Sequence, residues 1–370
     1  MSLVINGRFL MQHVTGVQRV ARELLAEFDQ LAAAGSIPVP RLLVPGKGEM
    51  VLPPDLSVIE IERRGVLGGH AWEQLELPRL VGTRTLLCLG NTAPIIQLHL
   101  PRRPVVVMVH DLSYKYFPNA YSWKFKRLYG ALTPAILRRA DRVVTVSQAE
   151  RAMISEHYPD LKDNPRFCYL QNGGVSDGVA RAAGVADCAP QEVRTYGLYV
   201  GSLTHRKNAA GILRTAAAFL ERYSEMRFVI AGATAASFEG VNLEFSQGLA
   251  DRIDFLGQVD DASRIQELYR SARFLLFPSF YEASPLPPIE AMTFGCPVVA
   301  SEIPSLVERC GDAALYCDPY DPASILTAVS CLMEDSLTWD LLSRKARDRA
   351  ATFSWANQAR GVVALCEDAK

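Results

Sequence analysis

The chain is expected to fold as α/β, in two doubly wound domains with parallel sheets. Short apolar runs alternate with amphipathic helical periods along most of its length, the pattern of repeated βα units. At 370 residues and 49% apolar content it is long enough for two cores of ordinary size. The alternation breaks once, from about Val175 to Arg194, where Ala, Gly and Asp dominate and no apolar period is sustained. The expected layout is a first domain at 1–175, a linker at 176–194, a second domain at 195–353 and a terminal helix at 354–370.

Composition narrows the function classes. The net charge is −1, which gives no global reason to bind nucleic acid. Eight scattered cysteines form no Cys-x-x-Cys pair, so free thiols in a reducing cytoplasm are expected rather than disulfides or a zinc site. The opening Met-Ser-Leu-Val-Ile-Asn-Gly-Arg segment is not of signal-peptide type, and no apolar run has bilayer-spanning length.

In the first domain, residues 2–5, 42–44, 58–61, 85–89, 103–109, 141–146 and 167–170 read as strands. Val17 to Leu31 has helical periodicity, preceded by Thr15-Gly16, so a strand, a Gly-containing loop and a helix occur in the order that can face phosphate. An ordinary helix start is the other reading of Gly16, and Arg19 either faces the same cleft or solvates the helix. Residues 71–80 read as a helix. His110-Asp111 follows the apolar strand ending at Val109; His110 is either a site residue or a packing histidine. Tyr121 to Ala140 is a helix mixing Trp123, Lys124, Lys126 and Arg127. It reads either as a solvated amphipathic face or as a contact for an anionic membrane surface.

The second domain opens with a strand at 195–200. The loop Gly201-Ser-Leu-Thr-His-Arg206-Lys207-Asn208 follows, then a helix from Ala209 to Tyr223. Two adjacent cations between strand and helix suit a diphosphate, with Arg supplying a planar fork and Lys a mobile point charge; a solvated basic pair is the other reading. Strands at 228–232 and 253–257 and a helix at 262–272 lead to the buried strand Phe274–Pro278. The turn Phe280 to Met292 comes next, with Glu282 at its start and Glu290 in the helix expected from Ile289 to Phe294. A carboxylate accepts two hydrogen bonds from a vicinal diol, the group that sugars and riboses present. Backbone N–H groups between the two glutamates, at a helix start, are a natural seat for phosphate; an N-capping loop with a surface Glu is the other reading.

Glu282, Leu286, Pro287, Glu290, Ala291 and Met292 match the Glu-x(7)-Glu region of retaining glycosyltransferases of family 4, which often reads Glu-Gly-Phe-Gly-Leu-Pro-x-x-Glu-Ala-Met. Ala283, Ser284 and Pro285 depart from that form, and Pro285 has no N–H to donate. Gly201 to Asn208 resembles the family's Gly-x-Leu-x-x-Arg-Lys-Asn loop. His110-Asp111-Leu112 and Asn172-Gly173 resemble further landmarks. Asn6-Gly7-Arg8 and Thr15 to Arg19 are similar to bacterial surface-polysaccharide transferases, some of which use GDP-mannose.

The resemblance implies the GT-B fold: two Rossmann-like domains facing a cleft, with the terminal helix crossing back to the first. It implies retaining, metal-independent hexosyl transfer without a cofactor, from a nucleotide-sugar donor to a glycan or polyprenyl-linked glycan acceptor. The expected setting is the cytoplasm or the inner face of the plasma membrane. His110, Glu282, Arg206 and Lys207 are the expected catalytic residues. Gly16, Arg206, Lys207, Ala283, Ser284, Leu286 and Glu290 are expected to bind donor, with Glu282 on sugar hydroxyls and Glu290 on the ribose. His110 and Asp111 are expected at the acceptor. A UDP-sugar donor, an epimerase on the same fold and a non-catalytic sugar-binding protein are the rival readings.

Overall fold

The structure is a computed structural model that describes residues 3–175, 194–233 and 247–369. The expected linker therefore lies outside the described residues, except for Arg194. The chain divides into two compact units, Met1–Gly173 with Trp355–Lys370, and Gly174–Ser354.

The first unit is built on a seven-stranded sheet in the order β3-β2-β1-β4-β5-β6-β7. The strands are β1 (Leu3–Asn6), β2 (Arg41–Pro45), β3 (Ile61–Arg64), β4 (Thr85–Cys88), β5 (Val105–Met108), β6 (Arg142–Thr145) and β7 (Phe167–Tyr169). All neighbouring pairs are parallel. β1, β4 and β5 are buried along their whole length, which explains why they read as unbroken apolar runs rather than alternations. β3 begins at Ile61, later than the strand expected at 58–61. The reason is Asp29: its carboxylate accepts from the backbone N–H of Ser57 (2.6 Å), Val58 (2.9 Å) and Ile59 (2.8 Å), so those donors are lost to the ladder. The helix expected at 71–80 is interrupted by a π-turn over Trp72–Glu76, flanked by helical Gly69–Ala71 and Leu77–Val81. Such turns often accompany functional positions.

The terminal helix Trp355–Asp368 packs within the first unit. Gln358 Nε2 donates to Leu170 O (3.2 Å) and to Asn172 Oδ1 (3.0 Å). A Cβ on Gly173 would stand 2.4 Å from the Trp355 ring, so this approach requires glycine.

The second unit holds a six-stranded sheet in the order β10-β9-β8-β11-β12-β13. Its strands are β8 (Tyr196–Val200), β9 (Arg227–Ala231), β10 (Ile253–Gly257), β11 (Ala272–Phe277), β12 (Val298–Ser301) and β13 (Ala314–Cys317), again all parallel. Phe219 meets Phe228 and Phe274 edge to face, with centroids 6.2 and 5.3 Å away. Each such ring, fully buried, contributes about 1.5–3 kcal/mol. Arg194 is a correction to the expected linker. It is 2% exposed, and its guanidinium donates to Ala272 O (2.9 Å) and Phe294 O (3.3 Å), so it belongs to the packed second unit.

Because every strand is parallel, the loops leaving the strand ends gather along one edge of each sheet, where open α/β sheets bind ligands.

Candidate active site

In the second unit, two such loops meet. The loop after β8 carries Arg206 and Lys207, and the loop after β11 carries Glu282. Glycines bring the strand ends close: Gly232 sits at φ +157°, and a Cβ there would stand 1.9 Å from Gly201 O. Asn208 then starts the helix Ala209–Arg222 from a left-handed conformation (φ 58°), its Oδ1 accepting from Gly211 N at 3.1 Å. Its Nδ2 donates to Pro319 O (2.8 Å), tying the loop to the segment after β13.

Glu282 is the hub. Oε2 accepts from Arg206 Nη1 at 3.1 Å, and Oε1 accepts from Ser279 Oγ at 3.0 Å and lies 3.3 Å from Lys207 Nζ. Arg206 Nη1 also donates to Tyr281 O (2.7 Å), and Phe280 N donates to Arg206 O (3.0 Å), so the loops are joined through backbone as well. Ser279 is itself fixed, since its carbonyl accepts from Ser301 Oγ on β12 at 2.7 Å. Glu282 is 8% exposed. Burial pushes its carboxyl up, but Arg206, Lys207 and the hydrogen bonds from Arg206 and Ser279 outweigh that and hold it below the usual carboxylate range. Burial pushes the Lys207 ammonium down; Glu282 pulls it up, Arg206 pushes it down again, and the net is below its ordinary value. One carboxylate between two cations leaves a local charge of about +1, a field suited to an anion.

Glu290 sits in the helix Pro287–Thr293, which starts two residues earlier than the sequence indicated. It is 2% exposed and Oε2 accepts from Tyr269 Oη at 2.9 Å. Three of the residues between the two glutamates are prolines. Pro285, Pro287 and Pro288 have no N–H, and Glu290 N donates to Leu286 O (3.0 Å) within the helix. Ala283 and Ser284 are half-buried, and Leu286 is buried at the helix start.

Beside Glu282, Phe280 stacks on Tyr320 from the segment after β13, with centroids 4.7 Å apart, and His205 lies 5.6 Å from the Phe280 ring. Tyr320 is 75% exposed. Sequence reasoning missed Ser279, Ser301 and Tyr320. Their spacing carries no periodic signal, and only the β8-β11-β12-β13 order brings them to one edge.

The first unit places the other expected residues. His110 is 4% exposed after β5; its backbone N donates to Asn91 Oδ1 (2.6 Å), and Nε2 lies 2.8 Å from Leu89 O. A carbonyl accepts only, so Nε2 carries a proton and Nδ1 is the acceptor in the neutral ring. Burial lowers the His110 pKa, against opposing contributions from the Leu89 carbonyl and Asp111, which keeps the ring neutral near pH 7. Asp111 Oδ1 accepts from Ser113 N (2.9 Å) and Ser113 Oγ (2.6 Å), a local turn bond. Gly16 opens the helix Gly16–Ala33, and a Cβ there would meet nothing within 4 Å, so packing alone does not demand glycine.

Comparison with known proteins agrees with this architecture. Residues 194–335 match the family described as "Glycosyl transferases group 1", and residues 71–169 match "Glycosyltransferase Family 4". The chain is 30% identical over 273 residues to O-antigen chain mannosyltransferase B of Escherichia coli, covering 70% of this chain and 69% of that one. It is 26% identical over 260 residues to O-antigen chain mannosyltransferase RfbU of Salmonella typhimurium, covering 70% and 67%. Its fold is similar to that of WaaG, a glycosyltransferase involved in lipopolysaccharide biosynthesis, with a TM-score of 0.70, 18% identity and coverage of 97% and 98%. Two parallel-sheet Rossmann-like units define the GT-B class of fold. The chain belongs to glycosyltransferase family 4.

Proposed function

We propose that this glycosyltransferase moves a hexose with retention of anomeric configuration and without a metal, taking mannose from GDP-mannose. The acceptor is a glycan or polyprenyl-linked glycan in bacterial surface-polysaccharide synthesis. The observation that carries the reading is the Arg206–Glu282–Lys207 cluster, with its net positive charge on the loops after β8 and β11. The O-antigen mannosyltransferases among its relatives support the choice of sugar and pathway class.

In this reading the diphosphate shares Arg206 and Lys207 with Glu282. As the bond from the anomeric carbon to phosphate oxygen breaks, its electron pair leaves on the nucleoside diphosphate, and the two cations meet that charge with little reorganisation. The acceptor oxygen bonds to the anomeric carbon on the same face, and its proton passes to the departing phosphate. Glu282 is a poor nucleophile here because Arg206, Lys207 and Ser279 engage its oxygens. Its role is to hold donor-sugar hydroxyls. Glu290 takes the ribose, and Ala283, Ser284 and Leu286 complete the donor site on the second unit. His110, neutral and fixed through Nε2, offers Nδ1 to a sugar hydroxyl, with Asp111 beside it at the acceptor.

The test is incubation of GDP-mannose, UDP-glucose and UDP-N-acetylglucosamine with and without a lipid-linked glycan, in EDTA. Acceptor-dependent release of GDP with an α-linked product is expected. Release restored only by Mg²⁺ or Mn²⁺ overturns metal independence, and preference for a UDP-sugar overturns the donor. An isomerised sugar formed without acceptor establishes the epimerase.

A further inference from the structure

His110 is held by one neighbouring loop, the segment that leaves β4. Leu89 O accepts from its Nε2 at 2.8 Å, and Asn91 Oδ1 accepts from its backbone N at 2.6 Å. Asn91 N in turn donates to Met108 O at 3.1 Å, so residues 89–91 are tied to the end of β5 through side chain and backbone alike. Asp111, next in sequence, accepts from Ser113 N and Ser113 Oγ instead. The direction of the imidazole is therefore set by the loop after β4 and not by the adjacent carboxylate.

Asn91 makes its contacts from the left-handed region, at φ +62°, which few residues other than Gly, Asn and Asp enter readily. From there its backbone N–H and its side-chain oxygen both reach the end of β5.

The residues just after Asn91 are fixed from behind. Thr92, 1% exposed, donates through Oγ1 to Glu73 Oε1 (2.9 Å) and accepts from Arg8 Nη2 (2.7 Å). Glu73 is fully buried, and its Oε1 also accepts from Asn6 Nδ2 (2.7 Å) and Arg8 Nε (3.2 Å). Burial pushes this carboxyl up, but Arg8 and the side chains that donate to it outweigh burial and bring it down to about 2. Gln74, the next residue of the π-turn, donates from Nε2 to Ala93 O (3.0 Å) and accepts at Oε1 from Ile95 N (2.8 Å). Two consecutive side chains of the π-turn thus clamp residues 92–95.

We infer that Asn91 is a positioning residue for His110: its Oδ1, presented from a left-handed backbone that Glu73 and Gln74 brace, holds the imidazole in the direction that offers Nδ1 to a sugar hydroxyl. That the ring meets a sugar rests on the glycosyl-transfer reading. Asn91 acts through His110.

Two substitutions separate side chain from backbone. Asn91→Gly keeps access to the left-handed region and removes Oδ1, whereas Asn91→Asp keeps both. In the transfer assay at pH 8, where the imidazole is neutral, Asn91→Gly should lower kcat by about five- to tenfold, the worth of one neutral hydrogen bond, and Asn91→Asp should recover most of the loss. In a His110→Ala background Asn91→Gly should lower kcat by less than about twofold, since nothing is left to position. A loss that adds in full in that background makes Asn91 a plain loop strut and overturns the inference. So does an Asn91→Asp variant as slow as Asn91→Gly. The second readout needs no turnover. In the full chain labelled with ¹⁵N-histidine, the His110 ring is assigned among six histidines by its loss in His110→Ala. It should be the neutral tautomer protonated at Nε2, and Asn91→Gly should move its two nitrogen resonances toward each other as the tautomers mix. Ring resonances unchanged in Asn91→Gly overturn the inference. A wild type that transfers no sugar but whose ring responds to Asn91→Gly removes the transfer reading and leaves the positioning. A wild type that transfers sugar, with no loss in Asn91→Gly, removes the positioning alone.

Discussion

Lys207 Nζ lies 3.3 Å from Glu282 Oε1 while Arg206 Nη1 holds Oε2 at 3.1 Å, so a buried carboxylate is gripped from both sides by cations on the loop that follows β8. The grip makes one carboxylate answer for two positive charges. A diphosphate in the proposed donor site would use the surplus. Replacing Lys207 with Ala removes half of the cationic pair and leaves Arg206 to serve both Glu282 and phosphate. Binding of GDP should fall by about 10- to 100-fold, the scale of a charge-assisted hydrogen bond of 1.5–3 kcal/mol, while guanosine binding changes little. Isothermal calorimetry with both ligands is the check. Equal loss for both would place Lys207 away from the phosphates.

The two glutamates separate by role. In the proposed site Glu290 holds the ribose, which changes little between ground state and transition state. Glu282 holds the sugar that gains positive charge. Glu290→Gln should then raise donor KM with kcat nearly constant, whereas Glu282→Gln should lower kcat, by an amount on the order of 2.7–4 kcal/mol. Because Glu290 accepts from Tyr269 Oη at 2.9 Å, Tyr269→Phe belongs in the same series. If Tyr269→Phe and Glu290→Gln lower the melting temperature together and leave donor KM alone, Glu290 is a structural anchor and the ribose assignment fails.

Glu73 gives a pH prediction with a definite sign. Its carboxyl is held at about 2 against an ordinary value of 4.5. The unfolded chain therefore binds the proton first as pH falls, and the stability from this group is fully present above about pH 4.5 and is lost on descent toward 2. A carboxyl held that far down contributes roughly 3 kcal/mol at neutral pH. The urea midpoint of the first unit's unfolding in wild type should exceed that of Glu73→Gln by most at neutral pH, and the two should converge as pH is lowered through that window. Parallel curves across the window would mean that Glu73 is not the charged hub of its network.

Much of the fold was legible in the sequence because a doubly covered parallel strand must be apolar throughout. Val105–Met108 and Phe274–Phe277 announce themselves in that way. The Arg206–Lys207 loop and Glu282 were legible as chemistry because each falls just past such a run. Their contact was not, since sequence order says nothing of which loops the β8–β11 pairing brings together. β3 was misplaced because Val58 and Ile59 look like strand residues, while the group that takes their N–H donors, Asp29, is a helix residue 29 and 30 positions away. The Glu73 network was silent for a similar reason: Asn6, Arg8, Glu73 and Thr92 come from four separate segments, and a buried Glu in an amphipathic helix reads as a surface residue until its partners are seen.

The helix Trp123–Arg139 carries the last prediction. Its second half is buried through Leu132, Thr133, Ile136 and Leu137, whereas Trp123, Lys124, Arg127 and Leu128 in its first half are exposed. Trp123 is 61% exposed, and Lys124 and Arg127 lie 5.9 and 5.8 Å from its ring centroid. On the inner side Phe125 and Tyr129 pack against Tyr114, with centroids 6.3 and 6.0 Å away, which fixes the rotation of the helix and so the outward direction of Trp123. An exposed indole flanked by cations is the composition that seats at an anionic lipid interface, with each basic residue contributing about 1 kcal/mol near the surface. No helix among the described residues is long and apolar enough to cross a membrane, so any contact made by this helix would be peripheral. The protein is expected to co-sediment with liposomes containing phosphatidylglycerol and to be released by salt, because exposed charges are screened. Replacing Lys124, Lys126 and Arg127 with Gln should weaken that binding by more than tenfold with no change in melting temperature, and Trp123→Ala should weaken it even in low salt. If the wild type ignores anionic liposomes, or if the Gln variant binds them equally well, the basic half of this helix is a solvated face and the acceptor is met elsewhere.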